Sequence, residues 1–222
     1  MTSFYCWRSA SVYRIALDLR PRSYLSHITA AVLNGLVKGN ITAVYTNQEQ
    51  TEKQRLNLPI SQEAIDTAFS RPQRVSQLMY TYSDWRLVML SGKHTGRHGV
   101  KEEYVEGETL DITNVPRTLL DLLVRPGYGG GVLTVLQAFR SAQDRFSPTD
   151  LPGLLDEMRY VYPYHQAVGF YLERAGYDRD YYEPFLGREM LFDFYIAHAI
   201  EDKAYDPKWR VYYPREIDSP ET

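Results

Sequence analysis

Glu103-Tyr-Val-Glu-Gly-Glu-Thr-Leu-Asp-Ile-Thr-Asn-Val-Pro-Arg-Thr-Leu-Leu-Asp-Leu-Leu-Val124 changes its hydrophobic period partway along, and that change decides the fold class. Glu103–Val105 and Thr109–Ile112 carry β-branched and aromatic residues on either side of a turn that Gly107 permits, so they read as paired strands. Thr113 or Asn114 can then cap a helix. Pro116 falls in its first turn, and Leu119, Leu120, Leu122 and Leu123 supply its apolar face.

Working outward toward the N-terminus, residues 75–113 are β-rich. Trp85-Arg-Leu-Val-Met-Leu90 predicts a buried strand, followed by the turn-prone run Ser91-Gly-Lys-His-Thr-Gly-Arg-His-Gly99. Leu25, Ile28, Val32, Leu33 and Leu36 recur at helical spacing and predict one helix over Tyr24–Val37, with Ser23 as its cap. Ile41–Thr46 predicts a strand and Asn47–Asn57 a polar loop. Residues 1–20 form a short lead-in.

Toward the C-terminus, Arg125-Pro-Gly-Tyr-Gly-Gly-Gly131 stops the helix, and Val132, Val135, Leu136, Phe139 and Ala142 begin another. Ser147-Pro-Thr-Asp150 offers a hydroxyl cap, a proline at the first position and a first-turn carboxylate. Pro163 opens a further helix with Val168, Tyr171, Leu172 and Ala175 on one stripe and Gly176 as its stop. Met190–Ile196 and Trp209–Tyr213 read as closing strands. The expectation is one α+β domain over residues 1–222, a mixed sheet with helices concentrated in the second half. Leu25, Ile28, Val32, Leu36, Leu119, Leu123, Leu136, Phe139, Val168 and Leu172 are its expected buried residues.

The composition fits a globular chain, with 44% hydrophobic and 24% charged residues. Apolar runs such as Leu87–Leu90 and Leu119–Val124 fall far short of the ~20 residues a membrane span needs, so no membrane association is expected. The N-terminus lacks the apolar stretch of a signal peptide. One cysteine, Cys6 beside Trp7, fits a reducing cytoplasm and reads as a packed small hydrophobe. The net charge of −3 hides an asymmetry: residues 1–100 carry 12 basic and 6 acidic side chains, a balance of +6, and residues 101–222 carry 13 and 22, a balance of −9. A basic first half can meet nucleic acid or an acidic partner, or simply attract the second half. Its 19 tyrosines suit half-buried surfaces and interfaces.

Few residues suggest catalysis. His94-x-x-x-His98 has the spacing of two zinc ligands on a helix, but Gly92, Gly96 and Gly99 argue for a loop, and no Glu follows the first His. Gly127–Gly131 could cradle a phosphate at a helix start, yet it follows a helix and lacks the GK[ST] of a P-loop, so a connector needing positive φ is the better reading. Asp121, Glu173 and Asp193 do not form a D…ExK arrangement and read as structural ion-pair partners. Ser26-His27 lacks a nucleophile elbow, and neighbours on one helix do not form a nucleophile–base pair. His165 and His198 read as packed among aromatics. No cofactor or metal is expected. Arg117, unfavourably placed for the helix dipole, calls for a carboxylate, and Asp121 lies one turn later. Arg125, just past the helix end, suits the dipole.

Several strings in order carry a resemblance. They are Tyr24-Leu-Ser-His-Ile-Thr-Ala30 with Leu33-Asn-Gly-Leu36, Ser61–Phe69, and Ile112-Thr-Asn-Val-Pro-Arg-Thr-Leu-Leu-Asp121. Val124-Arg-Pro-Gly-Tyr-Gly-Gly-Gly-Val132 and Tyr162-Pro-Tyr-His-Gln-Ala-Val-Gly-Phe-Tyr-Leu-Glu-Arg-Ala-Gly176 complete the set. Together they are similar to the AbiEi-type antitoxins of bacterial abortive-infection (toxin–antitoxin) systems, over about Tyr24–Pro214. The resemblance implies a non-catalytic antitoxin domain acting against a co-encoded nucleotidyltransferase toxin, commonly without a stable complex. It singles out Ser26, His27, Pro116, Arg117, Thr118, Asp121, Arg125, Pro126, Tyr164, His165, Gln166, Glu173 and Arg174. Asn34 stands where the family often has His. The family's N-terminal winged helix has no counterpart in the roughly twenty residues ahead of the match, so autonomous operator binding is not expected. An alternative role is a DNA-associated regulatory module, working with a separately encoded helix-turn-helix protein. Weak, non-specific nucleic-acid contact is assigned to Arg71, Arg74, Lys93 and Arg97, with Arg117 and Arg125 as further candidate contacts for nucleic acid or a partner. A metal-dependent nuclease or phosphotransferase is the third reading.

Overall fold

The computed structural model describes residues 10–52 and 60–219; Cys6 and Trp7, with the first nine residues of the lead-in, and part of the 47–57 loop lie outside them. The fold is α+β, built on a mixed six-stranded sheet in the order β3-β4-β2-β1-β6-β5. The strands are β1 (Tyr24–Leu25), β2 (Ala43–Glu49), β3 (Met79–Tyr82), β4 (Trp85–Gly92), β5 (Val100–Val105) and β6 (Glu108–Thr113). β2 runs parallel to β4 and β1 parallel to β6, while the β3–β4, β1–β2 and β5–β6 pairs are antiparallel. Glu106 and Gly107 turn β5 into β6 with positive φ at both, so the hairpin read from Gly107 is present.

The helices are α1 (Val12–Asp18), α2 (His27–Leu33), α3 (Gln62–Phe69), α4 (Val115–Val124), α5 (Val132–Ser141), α6 (Asp150–Met158), α7 (Tyr164–Arg174) and α8 (Arg179–Leu186). Five of them come from the second half. Asn114 caps α4, its side chain accepting from the Arg117 amide at 3.0 Å with Pro116 in the first turn. At the start of α6 the Asp150 carboxylate accepts from the Ser147 amide at 2.8 Å, the reciprocal contact expected of that capping sequence. A second sheet, β7 (Phe194–Tyr195), β9 (Val211–Pro214) and β8 (Lys203–Asp206) in that order, closes the chain against α7.

One large apolar cluster joins α4–α8 with the small sheet, and a second lies between α1 and the large sheet. Eight of the ten expected core residues are buried; Ile28 and Val32 are half-buried. Gly169 lets α7 meet the small sheet closely: a Cβ there would stand 2.0 Å from the ring of Trp209, which is fully buried.

Several boundaries differ from the sequence reading. Tyr24–Val37 is not one helix. Tyr24 and Leu25 pair with Asn47 and Thr46, and Leu25 also with Ile112, so the helix begins only after Ser26. Sheet pairing supplied by distant segments outweighs local helical periodicity here. The strand read as Ile41–Thr46 is shifted to Ala43–Glu49 and takes in the first residues of the supposed loop. Met190–Ile196 contributes only Phe194 and Tyr195 as strand, and the last strand is Val211–Pro214. The lead-in contains α1, whose Tyr13, Ala16 and Leu17 pack on the sheet. Among the described residues no helix is long and apolar enough to cross a membrane.

Candidate functional site

Arg117 is the centre of a buried polar network where α4 meets the large sheet. Its Nε donates to Asp121 Oδ1 at 2.9 Å, as the one-turn spacing leads one to expect. Its other nitrogens donate to the Tyr24 hydroxyl at 3.0 Å, to Thr95 Oγ1 at 3.2 Å and to the His98 carbonyl at 2.6 Å. The planar fork of the guanidinium thus ties β1, the loop between β4 and β5, and α4 at one point. The Tyr24 hydroxyl also receives Asn47 Nδ2 at 2.6 Å and donates to Glu49 Oε1 at 3.3 Å. Glu49 in turn accepts from the amides of Thr95 and Arg97 and from the Thr95 hydroxyl.

These contacts set the protonation of the groups involved. Burial pushes the Tyr24 and Tyr160 hydroxyls well above the usual phenol range. Burial alone would raise Glu49, but the hydrogen bonds from Thr95 and Arg97, with Arg117 nearby, hold its carboxyl below the ordinary value. Burial drives His27 down to about 4, Arg117 and Arg125 acting in the same direction against Asp121. The imidazole is therefore neutral at neutral pH.

His27 is the first residue of α2 and lies in the left-handed region at φ 51°, unusual for a residue other than Gly. Ser26 is extended, with φ −147°, so the two side chains turn toward each other and Ser26 Oγ meets His27 Nδ1 at 2.9 Å. The two are therefore not neighbours on one helix, as the sequence reading has them: Ser26 precedes α2. The hydroxyl is fully buried, and its contact fixes the orientation of the imidazole, whose ring packs edge-on to Tyr128 at 5.5 Å.

Beside the network lies a cavity of about 330 Å³. Its wall includes His27, Arg117, Asp121 and Arg125 from the resemblance set, together with Arg74 and Lys93 from the basic half. The wall thus carries four cationic residues and one carboxylate. Arg117 is 2% exposed and committed to internal partners, which corrects its place among candidate contacts for nucleic acid or a partner. Arg97 is likewise taken up, pairing with Asp111 at 2.7 Å and with the Arg22 carbonyl at 2.6 Å. Arg71 is exposed and lies outside the cavity wall; its carbonyl meets His198 Nδ1 at 3.2 Å.

The remaining resemblance residues do not join the cavity. Thr118 binds the Thr113 carbonyl at 3.1 Å, and Asn34 reaches both residues, locking α2 to α4. Pro116 starts α4 and Pro126 the 3-10 turn after it. On α7, Gln166 Nε2 donates to the carbonyls of Phe192 and Trp209, both at 2.9 Å. Glu173 accepts from Trp209 Nε1 at 2.7 Å and Arg174 donates to the Tyr213 hydroxyl at 3.0 Å, so these side chains fasten the small sheet. Tyr164 packs edge-on to Phe194, and burial lowers the pKa of the half-buried His165. Asp193 pairs with Arg210 at 2.9 Å.

His94 and His98 lie in a loop and turn to different carboxylates, Glu49 at 3.6 Å and Glu157 at 3.1 Å. Among the described residues no group of three His, Cys, Asp or Glu side chains is arranged to hold a metal ion. Gly130 and Gly131, with φ +86° and +94°, turn the chain between α4 and α5, a helix–helix connector. The sequence reading missed Asn47, Glu49, Thr95 and Tyr160, which have no local pattern to mark them, and took Tyr24 into a resemblance string without assigning its side chain a place in the site.

The fold is similar to that in the crystal structure of the RV2827C protein from Mycobacterium tuberculosis, with a TM-score of 0.57 at 12% sequence identity. The alignment covers 90% of this chain and 65% of that one, so this chain spans just under two thirds of that protein's length. At such identity the likeness is one of fold alone. No protein-family model and no curated protein matches the chain.

Proposed function

We propose that this chain is a cytoplasmic antitoxin-type protein of a toxin–antitoxin system, acting by binding and without turnover against a nucleotidyltransferase toxin. The observation that supports this reading is convergence. Tyr24 and His27 come from the first resemblance string, Arg117 and Asp121 from the third, and Arg125 and Tyr128 from the fourth. They are far apart in the chain, yet Tyr24 meets Arg117 directly, and His27, Arg117, Asp121, Arg125 and Tyr128 line one cavity. Nine other residues of the resemblance lie outside the cavity wall and serve packing, but these five, drawn from three separate strings, meet at one cavity, as a common ligand or partner would require. Ser26, the side chain closest to a nucleophile, is sealed from solvent, which favours a binding role over covalent catalysis.

Co-expression with the nucleotidyltransferase encoded beside it tests the reading. Restored growth is the expected result. Persistent toxicity with both proteins soluble at equal levels contradicts it.

A further inference from the structure

The cavity beside Arg117 keeps polar groups that the fold itself does not satisfy. Asp121 is only 6% exposed; Oδ1 takes the Arg117 Nε, while Oδ2 has no hydrogen-bond partner among the described residues. A buried carboxylate oxygen without a donor is costly, and such an atom is uncommon where no ligand is expected. At the opening, Arg74 and Arg125 are exposed, and among the described residues neither guanidinium makes a hydrogen bond or ion pair.

The two arginines are held in place by backbone contacts that link their segments. The Tyr128 hydroxyl donates to the Arg74 carbonyl at 3.0 Å and accepts from the Ser76 amide at 2.8 Å. Gln73 Oε1 accepts from the Gly127 amide at 3.0 Å. Lys93, on the same wall, has its ammonium on the carbonyls of Met158 and Arg159. The wall of the same cavity also includes Tyr128 and the apolar Leu78, Leu90 and Val124. Two exposed cations, a buried unmet acceptor and an apolar, aromatic wall around one cavity describe a ligand with three matching parts.

We infer that the cavity binds a small organic phosphate whose body carries N–H or O–H donors, of the class of the nucleoside monophosphates. The phosphate meets Arg74 and Arg125, a donor on the base or sugar meets Asp121 Oδ2, and the flat body lies against Tyr128 and its apolar neighbours. A volume of about 330 Å³ is at the small end for ligand sites, which selects a single nucleotide over a dinucleotide or a polymer. This assignment goes beyond the antitoxin reading and does not rest on it.

Calorimetric titration of the full chain with AMP, CMP, GMP and UMP, and with adenosine and inorganic phosphate, tests it. At least one monophosphate should bind saturably, one per chain, with adenosine and inorganic phosphate at least about tenfold weaker. Arg74→Ala and Arg125→Ala should each weaken binding on the order of tenfold with the melting temperature unchanged, because both side chains are exposed. Absence of saturable binding to all four monophosphates overturns the inference. So does binding that survives both arginine substitutions, or inorganic phosphate binding as tightly as any monophosphate. Growth rescue in the absence of nucleotide binding removes the ligand assignment and leaves the antitoxin reading standing; nucleotide binding without rescue does the reverse.

Discussion

Arg117 and Asp121 lie one turn apart on α4 and meet inside the protein, Nε to Oδ1 at 2.9 Å, with 3% and 7% of their side chains exposed. Arg179 and Glu183 on α8 have the same spacing, but their side chains are 71% and 52% exposed. The two pairs are alike in sequence and unlike in energy, because only the first has given up its water. Removing one member of the buried pair strands the other charge. Arg117→Ala should therefore lower the unfolding free energy by about 3–5 kcal/mol. The double variant Arg117→Met with Asp121→Leu should cost clearly less, and Arg179→Ala should be close to neutral. Denaturant unfolding of the three variants measures this; an Arg117→Ala cost as small as that of Arg179→Ala would show that the buried network is not as described.

His27 predicts a pH dependence separate from that of the carboxylates. Its folded-state pKa is about 4, against 6.5 for an unperturbed histidine. The unfolded chain thus takes up a proton at higher pH than the folded one, so stability is full above pH 6.5 and falls as the pH drops from 6.5 toward 4. The full loss is about 3 kcal/mol by pH 4. Glu49, whose pKa is lowered, contributes stability that is lost only at lower pH, below the ordinary carboxylate range. Unfolding free energies at pH 7.5 and 5.2 read the histidines apart from the carboxylates, with His165 and His198, both also lowered by burial, acting in the same direction as His27. His27→Gln should flatten the difference; an unchanged slope would assign the effect elsewhere.

Gly169→Ala places a methyl group 2.0 Å from Trp209, a ring with no solvent-facing side to retreat to. The gain in helix propensity is about 1 kcal/mol, and the overpacking costs roughly 1–3 kcal/mol or more. The net effect should be destabilising, with perturbed tryptophan fluorescence. A stabilised variant would mean that α7 and the small sheet are farther apart than described.

Much of the fold was legible because its signals are local. Asn114, Pro116 and the leucines that follow specify α4 without help from the rest of the chain, and Gly107 specifies the β5–β6 turn. Tyr24–Leu25 was not legible as strand: its partners, Thr46, Asn47 and Ile112, lie elsewhere in the chain, and its own residues suit a helix equally well. The site divides the same way. Arg117 and Asp121 could be paired from their spacing on one helix, whereas Tyr24, Asn47, Glu49 and Thr95 reach the network only through sheet pairing. The meeting of Ser26 with His27 depends on two backbone dihedrals that no residue-type pattern reports.

The structure also alters the expectation for nucleic acid. Four phosphate contacts from Arg71, Arg74, Lys93 and Arg97 give a log–log salt slope of about −3.6 on duplex DNA. Arg97 is now committed to Asp111 and Lys93 to backbone carbonyls, which leaves Arg71 and Arg74. With exposed Arg125 as a further candidate contact, binding should be weak and non-specific with a slope no steeper than about −2.7. A mobility-shift titration across salt measures it. Tight, promoter-selective binding at physiological salt would show a reading surface outside this account.

Growth rescue tests most directly whether the cation-lined cavity is where the proposed antitoxin activity resides. The toxin should be co-expressed with the unaltered chain, with the Arg74→Ala/Arg125→Ala double variant and with Arg179→Ala, all at matched soluble levels. Rescue by the unaltered chain and by Arg179→Ala, with most of it lost in the double variant, is the predicted result. Failure of the unaltered chain to rescue, or full rescue by the double variant, contradicts the claim.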